Sequence, residues 1–230
     1  MKVVILAAGK GTRLYPLTEQ VPKVMVEING RPFLDYVITN LRKAGYNELV
    51  IVVGYKKEQI IDYLRANNIA AKIIIQDQQQ GTGHALLQAK KSCGQDNFLV
   101  LGGDNLWSVD DFKLMNKPDN FNYVSGIEVS NPERYGVLII KQGKLIAVKE
   151  KPREFYGNLI NAALYKFTPE IWPLLENLKP SARGEIELTD AVTELAEQGK
   201  VKVIKVKDYW LDLGSKDDLP KIEKFLKQHF

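Results

Sequence analysis

The sequence holds a single cysteine, Cys93, and only two histidines, His84 and His229. One thiol excludes an internal disulfide and points to a reducing compartment. Two histidines so far apart exclude a histidine-based metal centre. No apolar run approaches the roughly 20 residues a membrane-spanning helix needs. Met1 leads straight into an apolar stretch without the charged-then-apolar pattern of a secretory signal. A cytoplasmic protein with no membrane partner is expected. Basic blocks are missing as well. The net charge of +4 is spread along the chain, and the richest cluster, Lys200 to Lys207, alternates with valine and isoleucine. That alternation is a strand with one solvated face, whereas nucleic-acid binding concentrates basic residues on one element. No nucleic-acid partner is expected. Repeats, low-complexity tracts and obvious linkers are also absent.

What is present suits an ordinary globular protein: 230 residues, 45% hydrophobic and 26% charged. The length allows one domain with a substantial core. Strand-like runs at Lys2–Ala7, Glu48–Val53, Lys72–Gln76 and Asn97–Leu101 alternate with helical patterns at Pro32–Ala44, Lys56–Ala66 and Gly83–Lys91. Such alternation predicts βαβ units and a mostly parallel sheet. The second half is richer in strands: Tyr123–Val129, Tyr135–Ile140, Lys144–Lys149, Leu159–Phe167 and Val201–Val206, with Gln142-Gly143 as a hairpin turn. Helices are expected at Glu187–Gln198 and, capped by Ser215, at Lys216–Gln228. The expected fold class is α/β: a Rossmann-like domain over 1–230 whose mixed, mostly parallel sheet is flanked by helices. Residues 1–122, with the alternating pattern, would form one half. Residues 123–230 would form a smaller β-rich half with the C-terminal helix.

The chemistry begins where the first strand ends. Leu6-Ala7-Ala8-Gly9-Lys10-Gly11-Thr12-Arg13 is a small-residue, glycine-rich turn carrying an arginine, and Pro22-Lys23 follows ten positions on. Glycines let successive backbone N–H groups approach phosphate oxygens closely, and Arg13 and Lys23 add positive charge against the same polyphosphate. The loop is neither of two better-known glycine loops. The dinucleotide fingerprint needs glycine where Leu14 stands, and the Walker loop needs Gly-Lys-Ser/Thr where Gly11-Thr12-Arg13 stands.

Two aspartates end apolar runs: Asp104 in Gly102-Gly103-Asp104-Asn105 and Asp212 in Trp210-Leu211-Asp212-Leu213-Gly214. Carboxylates at the carboxyl ends of strands suit Mg2+ bound to phosphates. Gln76 and the run Gln80-Gly81-Thr82-Gly83-His84-Ala85 follow the third strand. A glutamine amide can pair with a pyrimidine's carbonyl and ring N–H. Glu150-Lys151-Pro152 ends another strand. There a lysine suits a monoester phosphate, and a glutamate accepts bonds from hydroxyl groups. In Arg183-Gly184-Glu185-Ile186-Glu187-Leu188-Thr189-Asp190 the acidic residues satisfy a helix N-terminus, so Glu187 and Asp190 are read as structural.

Gly-Lys-Gly-Thr-Arg with Pro-Lys, followed in order by these segments, resembles the sugar-1-phosphate nucleotidylyltransferases over almost the whole chain. The resemblance implies transfer of a nucleotidyl group from UTP or dTTP to a hexose 1-phosphate, with glucose 1-phosphate first, and release of pyrophosphate. It implies catalytic roles for Arg13 and Lys23. Nucleotide binding falls to Leu6, Ala7, Ala8, Gly9, Gly11, Thr12, Arg13, Lys23, Gln76, Gly81, Thr82 and Asp104. Sugar-phosphate binding falls to Asn105, Tyr135, Gly136, Glu150, Lys151 and Asn161, and Mg2+ ligation to Asp104 and Asp212. Gly81-Thr82-Gly83-His84-Ala85 is closest to the N-acetylglucosamine-1-phosphate uridylyltransferases, whereas Asn131–Val137 and Leu178–Glu185 are closest to the glucose-1-phosphate thymidylyltransferases. Alternatives of the same fold are an N-acetylmuramate-1-phosphate uridylyltransferase and a choline-phosphate cytidylyltransferase. From another class comes a non-catalytic nucleotide-sugar-binding regulatory subunit. A homo-oligomer is compatible with this reading. The left-handed β-helix of some members, with its acetyltransferase activity, is not expected.

Overall fold

A strand with no polar face cannot lie at a sheet edge, and Lys2–Ala7 (β1), whose Val3, Val4 and Ile5 are wholly buried, lies at the centre of one. The computed structural model describes residues 1–230. In it β1 pairs in parallel with Leu49–Val53 (β2) on one side. Lys72–Ile75 (β3) extends that side in parallel. Phe98–Gly102 (β4) lies parallel to β1 on the other side. From β4 onward the sheet changes character. Asn122–Glu128 (β5), Gly136–Lys141 (β6), Lys144–Glu150 (β7), Leu159–Phe167 (β8) and Val201–Lys205 (β9) join it. The strand order is β7-β6-β8-β4-β1-β2-β3, with β5 against β8 and β9 against β5. Strand β8 runs antiparallel to β4, β5 and β6. One sheet therefore crosses from residues 1–122 into 123–230.

Successive strand residues face opposite sides, so each strand feeds two cores. Val3 and Ile5 pack with the helices Phe33–Lys43 and Leu219–His229. Val4, Val50 and Val52 pack with Thr82–Gln88, Ile171–Asn177 and Leu188–Glu197. Each fully buried Val, Leu or Ile contributes about 1.5–3 kcal/mol relative to exposure, which anchors both layers.

Two local expectations need correction. The helix predicted over 83–91 is two, Thr82–Gln88 and Lys90–Cys93, because the N–H of Ala89 bonds back three residues to Leu86 and Ser92 bonds back three to Ala89. The C-terminal helix opens with a 3₁₀ turn at Lys216–Asp218, held by a Ser215–Asp218 capping box, before the α-helix Leu219–His229. A short antiparallel ribbon, Asn105–Trp107 with Trp210–Asp212, stands off the main sheet.

One irregularity shapes the functional face. The register of β8 against β5 shifts between Asn161 and Tyr165, and Ala163 sits there in the left-handed region at φ 60°. Asn161 Oδ1 accepts from the Ala163 N–H, and Ser125 Oγ accepts from the Leu164 N–H at 3.1 Å. Ser125 is 2% exposed, so Ser125→Ala leaves that N–H buried with its partner removed. The expected cost is about 1–3 kcal/mol, read from the urea midpoint at unchanged slope. An unchanged midpoint would mean that the bulge does not rely on this hydroxyl.

Candidate functional site

In an open α/β sheet the ligand crevice lies beyond the carboxyl ends of the strands, where chain direction around the sheet reverses. Here β1 has β2 on one side and β4 on the other, and the loop after β1 opens onto a cleft of about 580 Å³. Every residue predicted for the site lines this one cleft: Leu6, Ala7, Ala8, Gly9, Gly11, Thr12, Arg13, Lys23, Gln76, Gly81, Thr82, Asp104, Asn105, Tyr135, Gly136, Glu150, Lys151, Asn161 and Asp212. They come from segments scattered along most of the chain.

The glycine-rich loop is held by its own geometry. Gly11 adopts φ 65°, and a Cβ there would stand 2.8 Å from the Cβ of Lys23. Only glycine permits that approach, so the loop and the Lys23 stem pack directly together. Thr18 Oγ1 donates to the Gly11 carbonyl at 2.7 Å, and Leu14 anchors the following 3₁₀ turn in the core. Lys23 Nζ donates to Asp104 Oδ2 at 2.5 Å, and Asn105 Nδ2 donates to Asp104 Oδ1 at 2.9 Å. Burial alone would raise the Asp104 carboxyl, but the Lys23 ammonium and these hydrogen bonds outweigh it and hold it below the usual carboxylate range.

Asp212 is the contrary case. Ribbon pairing sets it opposite Asn105, and no hydrogen bond supports its carboxylate. Burial and the neighbouring Asp104 charge push its pKa up to about 6, against the pull of Lys23 and Arg13. A pair of neighbouring carboxylates, one bonded and one lacking any donor, suits a hard divalent cation that also takes phosphate oxygens. The donor set fits Mg2+.

The Gln76–Ala85 segment is bonded to the chain that leads into the helix Leu188–Glu197. Gln76 is 4% exposed, with Nε2 lying 2.9 Å from His84 Nδ1 and 3.2 Å from the Gly81 carbonyl oxygen. These bonds leave Oε1 as an acceptor without a protein partner. A Cβ on Gly81 would meet the Ile186 carbonyl oxygen at 2.6 Å, and the Gly83 N–H donates to that same oxygen at 2.8 Å. Thr82 does not cap its own helix. Its hydroxyl accepts from the Leu188 N–H and so caps the helix Leu188–Glu197 from across the cleft.

On the opposite wall Lys151 sits at φ 43°, an uncommon conformation held by its N–H bond to the Tyr135 carbonyl at 2.9 Å. Burial raises the Glu150 carboxyl, while Arg183 and Lys151 pull the other way. Asn161 Nδ2 donates to Tyr165 Oη at 2.5 Å.

Several cleft residues escaped the sequence reading. Arg183 clasps Glu187 through Nε and Nη2 at 3.0 and 2.6 Å, and its Nη1 lies 3.8 Å from Glu150. Glu187 has the bonded, buried environment of a structural carboxylate, yet it also lines the cleft, whereas Asp190 lies just outside it. Lys10, Arg134 and Trp210 line the cleft too. Lys10 is visible in the Gly-Lys-Gly motif itself, but no local signal marks Arg134 or Trp210. The bases divide into two groups: Lys10, Arg13 and Lys23 with the opening loop, and Arg134, Lys151 and Arg183 with the later strands.

Comparisons with known proteins identify the family. A family model described as nucleotidyl transferase matches residues 2–229. A bifunctional protein GlmU from Methanococcus aeolicus is 44% identical over 220 residues, covering 95% of this chain and 53% of that protein. The chain thus spans about half the length of the first curated relatives it matches. A UTP–glucose-1-phosphate uridylyltransferase from Haloferax volcanii is 36% identical, with 99% of this chain and 97% of that protein covered. Among solved structures, a UDP-glucose pyrophosphorylase complexed with UDP-glucose superposes with a TM-score of 0.89 at 26% identity, covering 100% of this chain and 99% of the other.

The raised Asp212 carboxyl has a consequence for stability. Its folded value of about 6 lies above an unfolded value of about 3.9, so the folded chain binds the extra proton between them. Stability contributed by this group is therefore lost as pH rises from about 4 to about 6 and does not return above it. In chelator, Asp212→Asn should raise the melting temperature at pH 8 by about 2–4 °C, and the gain should shrink towards pH 5. A gain independent of pH would contradict the assignment.

Proposed function

The chain belongs to the nucleotidyl transferase family, and on that premise we propose that it transfers a nucleotidyl group from UTP or dTTP to a hexose 1-phosphate, glucose 1-phosphate first, releasing pyrophosphate. The observation that carries the proposal is that one cleft gathers the Asp104–Asp212 pair with two sets of basic residues from distant parts of the chain, one from the opening loop and one from the later strands. A reaction between two phosphate anions needs two such anion sites facing one reacting phosphorus.

In the proposed reaction an oxygen of the sugar phosphate attacks the α-phosphorus in line, and the bond to the β-phosphate oxygen breaks. The nucleophile is already an oxyanion, so no general base and no covalent protein intermediate are required. Catalysis then rests on positioning and charge neutralisation. Arg13 makes no ion pair within the protein, which leaves its planar guanidinium free for two phosphate oxygens. Lys23 has three donors and spends one on Asp104, leaving the others for the departing pyrophosphate. Asp104 and Asp212 are the residues that would hold Mg2+, which when bound supplies Lewis-acid polarisation of phosphate oxygens. Lys151 holds the sugar phosphate, and Glu150 accepts from sugar hydroxyl groups. Gln76 Oε1 accepts from the ring N–H of uracil or thymine. Cytosine has no proton there, so CTP is disfavoured.

A second sugar is favoured by a specific observation. The Gly81-Thr82-Gly83-His84-Ala85 loop, which resembles that of the N-acetylglucosamine-1-phosphate uridylyltransferases, supports N-acetylglucosamine 1-phosphate.

Pyrophosphate release over a grid of nucleoside triphosphates against glucose 1-phosphate, N-acetylglucosamine 1-phosphate and choline phosphate tests both readings. Turnover is expected with UTP or dTTP and a sugar 1-phosphate only. Lys151→Ala should raise the KM for the sugar phosphate about 10- to 100-fold with little change in triphosphate affinity, the mark of lost uniform binding to one substrate. Gln76→Ala should instead lower the preference for UTP over CTP at least about tenfold. Release without any sugar phosphate, or loss of triphosphate binding in Lys151→Ala alone, would overturn these roles.

A further inference from the structure

Asn105 lines the cleft, and each end of its amide holds a side-chain partner. Its Oδ1 accepts from Trp210 Nε1 at 2.8 Å, and its Nδ2 donates to Asp104 Oδ1 at 2.9 Å. The residue is 6% exposed. An amide's oxygen and nitrogen are ordinarily interchangeable by a flip, but an indole nitrogen is a donor only. Trp210 therefore dictates which end of Asn105 faces it. The opposite end must then present N–H to the Asp104 carboxylate. A flipped amide would set two oxygens together at Asp104 and two donors together at Trp210.

The surroundings keep this chain of bonds rigid. Trp210 and Asp212 lie on one strand of the ribbon, and Asn105 pairs with Asp212 across it while Trp107 pairs with Trp210. The Leu213 N–H donates to the Asp104 carbonyl at 2.9 Å, closing the ribbon's end. The Tyr135 ring packs edge-on against Trp210 with centroids 5.5 Å apart. The indole thus has a fixed plane, and its N–H a fixed aim.

We propose that Trp210 is a positioning residue that acts through Asn105: its indole N–H orients the amide, and the amide holds the Asp104 carboxylate in place for a divalent cation. The inference rests on the proposed role of Asp104 as a metal ligand. Groups that hold ligating carboxylates typically govern metal affinity by 10- to 100-fold. The indole's effect should therefore appear in metal binding itself and not only in turnover.

The test uses Trp210→Phe, which keeps an aromatic ring against Tyr135 and removes the indole N–H together with its five-membered ring. Asn105→Ala, Asp104→Asn and the double variant Trp210→Phe/Asn105→Ala complete the set. Mn2+ is titrated into each protein in the presence of UTP but without sugar phosphate, and bound ion is measured by paramagnetic resonance against a UTP-only reference. Thermal unfolding is recorded alongside. Asp104→Asn should remove protein-dependent Mn2+ binding. Trp210→Phe and Asn105→Ala should each weaken it about 10- to 100-fold with folding retained, and the double variant should be no weaker than Asn105→Ala. Binding that survives Asp104→Asn would sink the metal role itself. Binding that needs Asp104 but stays within about twofold in a folded Trp210→Phe, or losses that multiply in the double variant, would overturn the relay while leaving that role standing.

Discussion

The bond between Lys23 and Asp104, 81 residues apart in sequence and 2.5 Å apart in space, is the interaction on which the rest of the site depends. It requires the opening loop and the turn after β4 to meet at the carboxyl ends of adjacent parallel strands. It also requires Gly11, because any side chain there would strike the Lys23 stem. With Asp104 compensated by Lys23, burial and then the neighbouring Asp104 charge act on Asp212, and its carboxyl rises to about 6. A protein that spent those residues on stability alone would not leave one carboxylate beside another without a donor. Such an arrangement costs folding energy and is characteristic of functional sites.

The change of the sheet from parallel to antiparallel gives the cleft its two walls. The parallel part, around β1, sets out the loop ends that carry Arg13, Lys23 and Gln76. Antiparallel β8, with its bulge at Ala163, brings Asn161 and the end of β7 round to face them. The walls are bonded to each other as well as facing. Gly83 to Ile186 and Leu188 to Thr82 tie the Gln76–Ala85 segment to the segment in which Arg183 clasps Glu187 and approaches Glu150. In the proposed reaction this places the base and the sugar phosphate on parts of one bonded unit.

Much of this was legible in the sequence, and the limits have physical causes. Fully apolar runs such as Val3–Leu6 and Leu49–Val53 announce central strands, because only a two-sided core can cover them. Gln142-Gly143 was legible as a hairpin turn, and both residues take positive φ, at 50° and 74°. The cleft residues with motif chemistry, from Gly9 to Asp212, could be named singly because glycine, lysine and carboxylate requirements are local. What could not be read depends on partners distant in the chain. The Asn105–Trp210 bond spans 105 positions and lies on a three-residue ribbon with no periodicity to detect. The bulge at Ala163 is set by Ser125 from another strand, and alanine carries no signal for a left-handed backbone. Arg183 looks like an ordinary helix-start residue until the fold brings it to Glu150, and the bond from the Leu188 N–H to Thr82 spans 106 positions.

The central claim is that fixed positive charge at the opening loop stabilises the charge growing on a departing pyrophosphate. Arg13→Lys tests it most directly, because lysine keeps the charge and loses the planar fork that holds two oxygens at once. Triphosphate affinity is measured by calorimetry without sugar phosphate, and the single-turnover transfer rate with it. The account predicts a rate loss of about ten- to a thousandfold, roughly 1.4–4 kcal/mol, with ground-state affinity much less affected. Equal losses in rate and affinity would contradict it by making Arg13 a binding residue only, and unchanged values would reduce the loop to an ordinary turn.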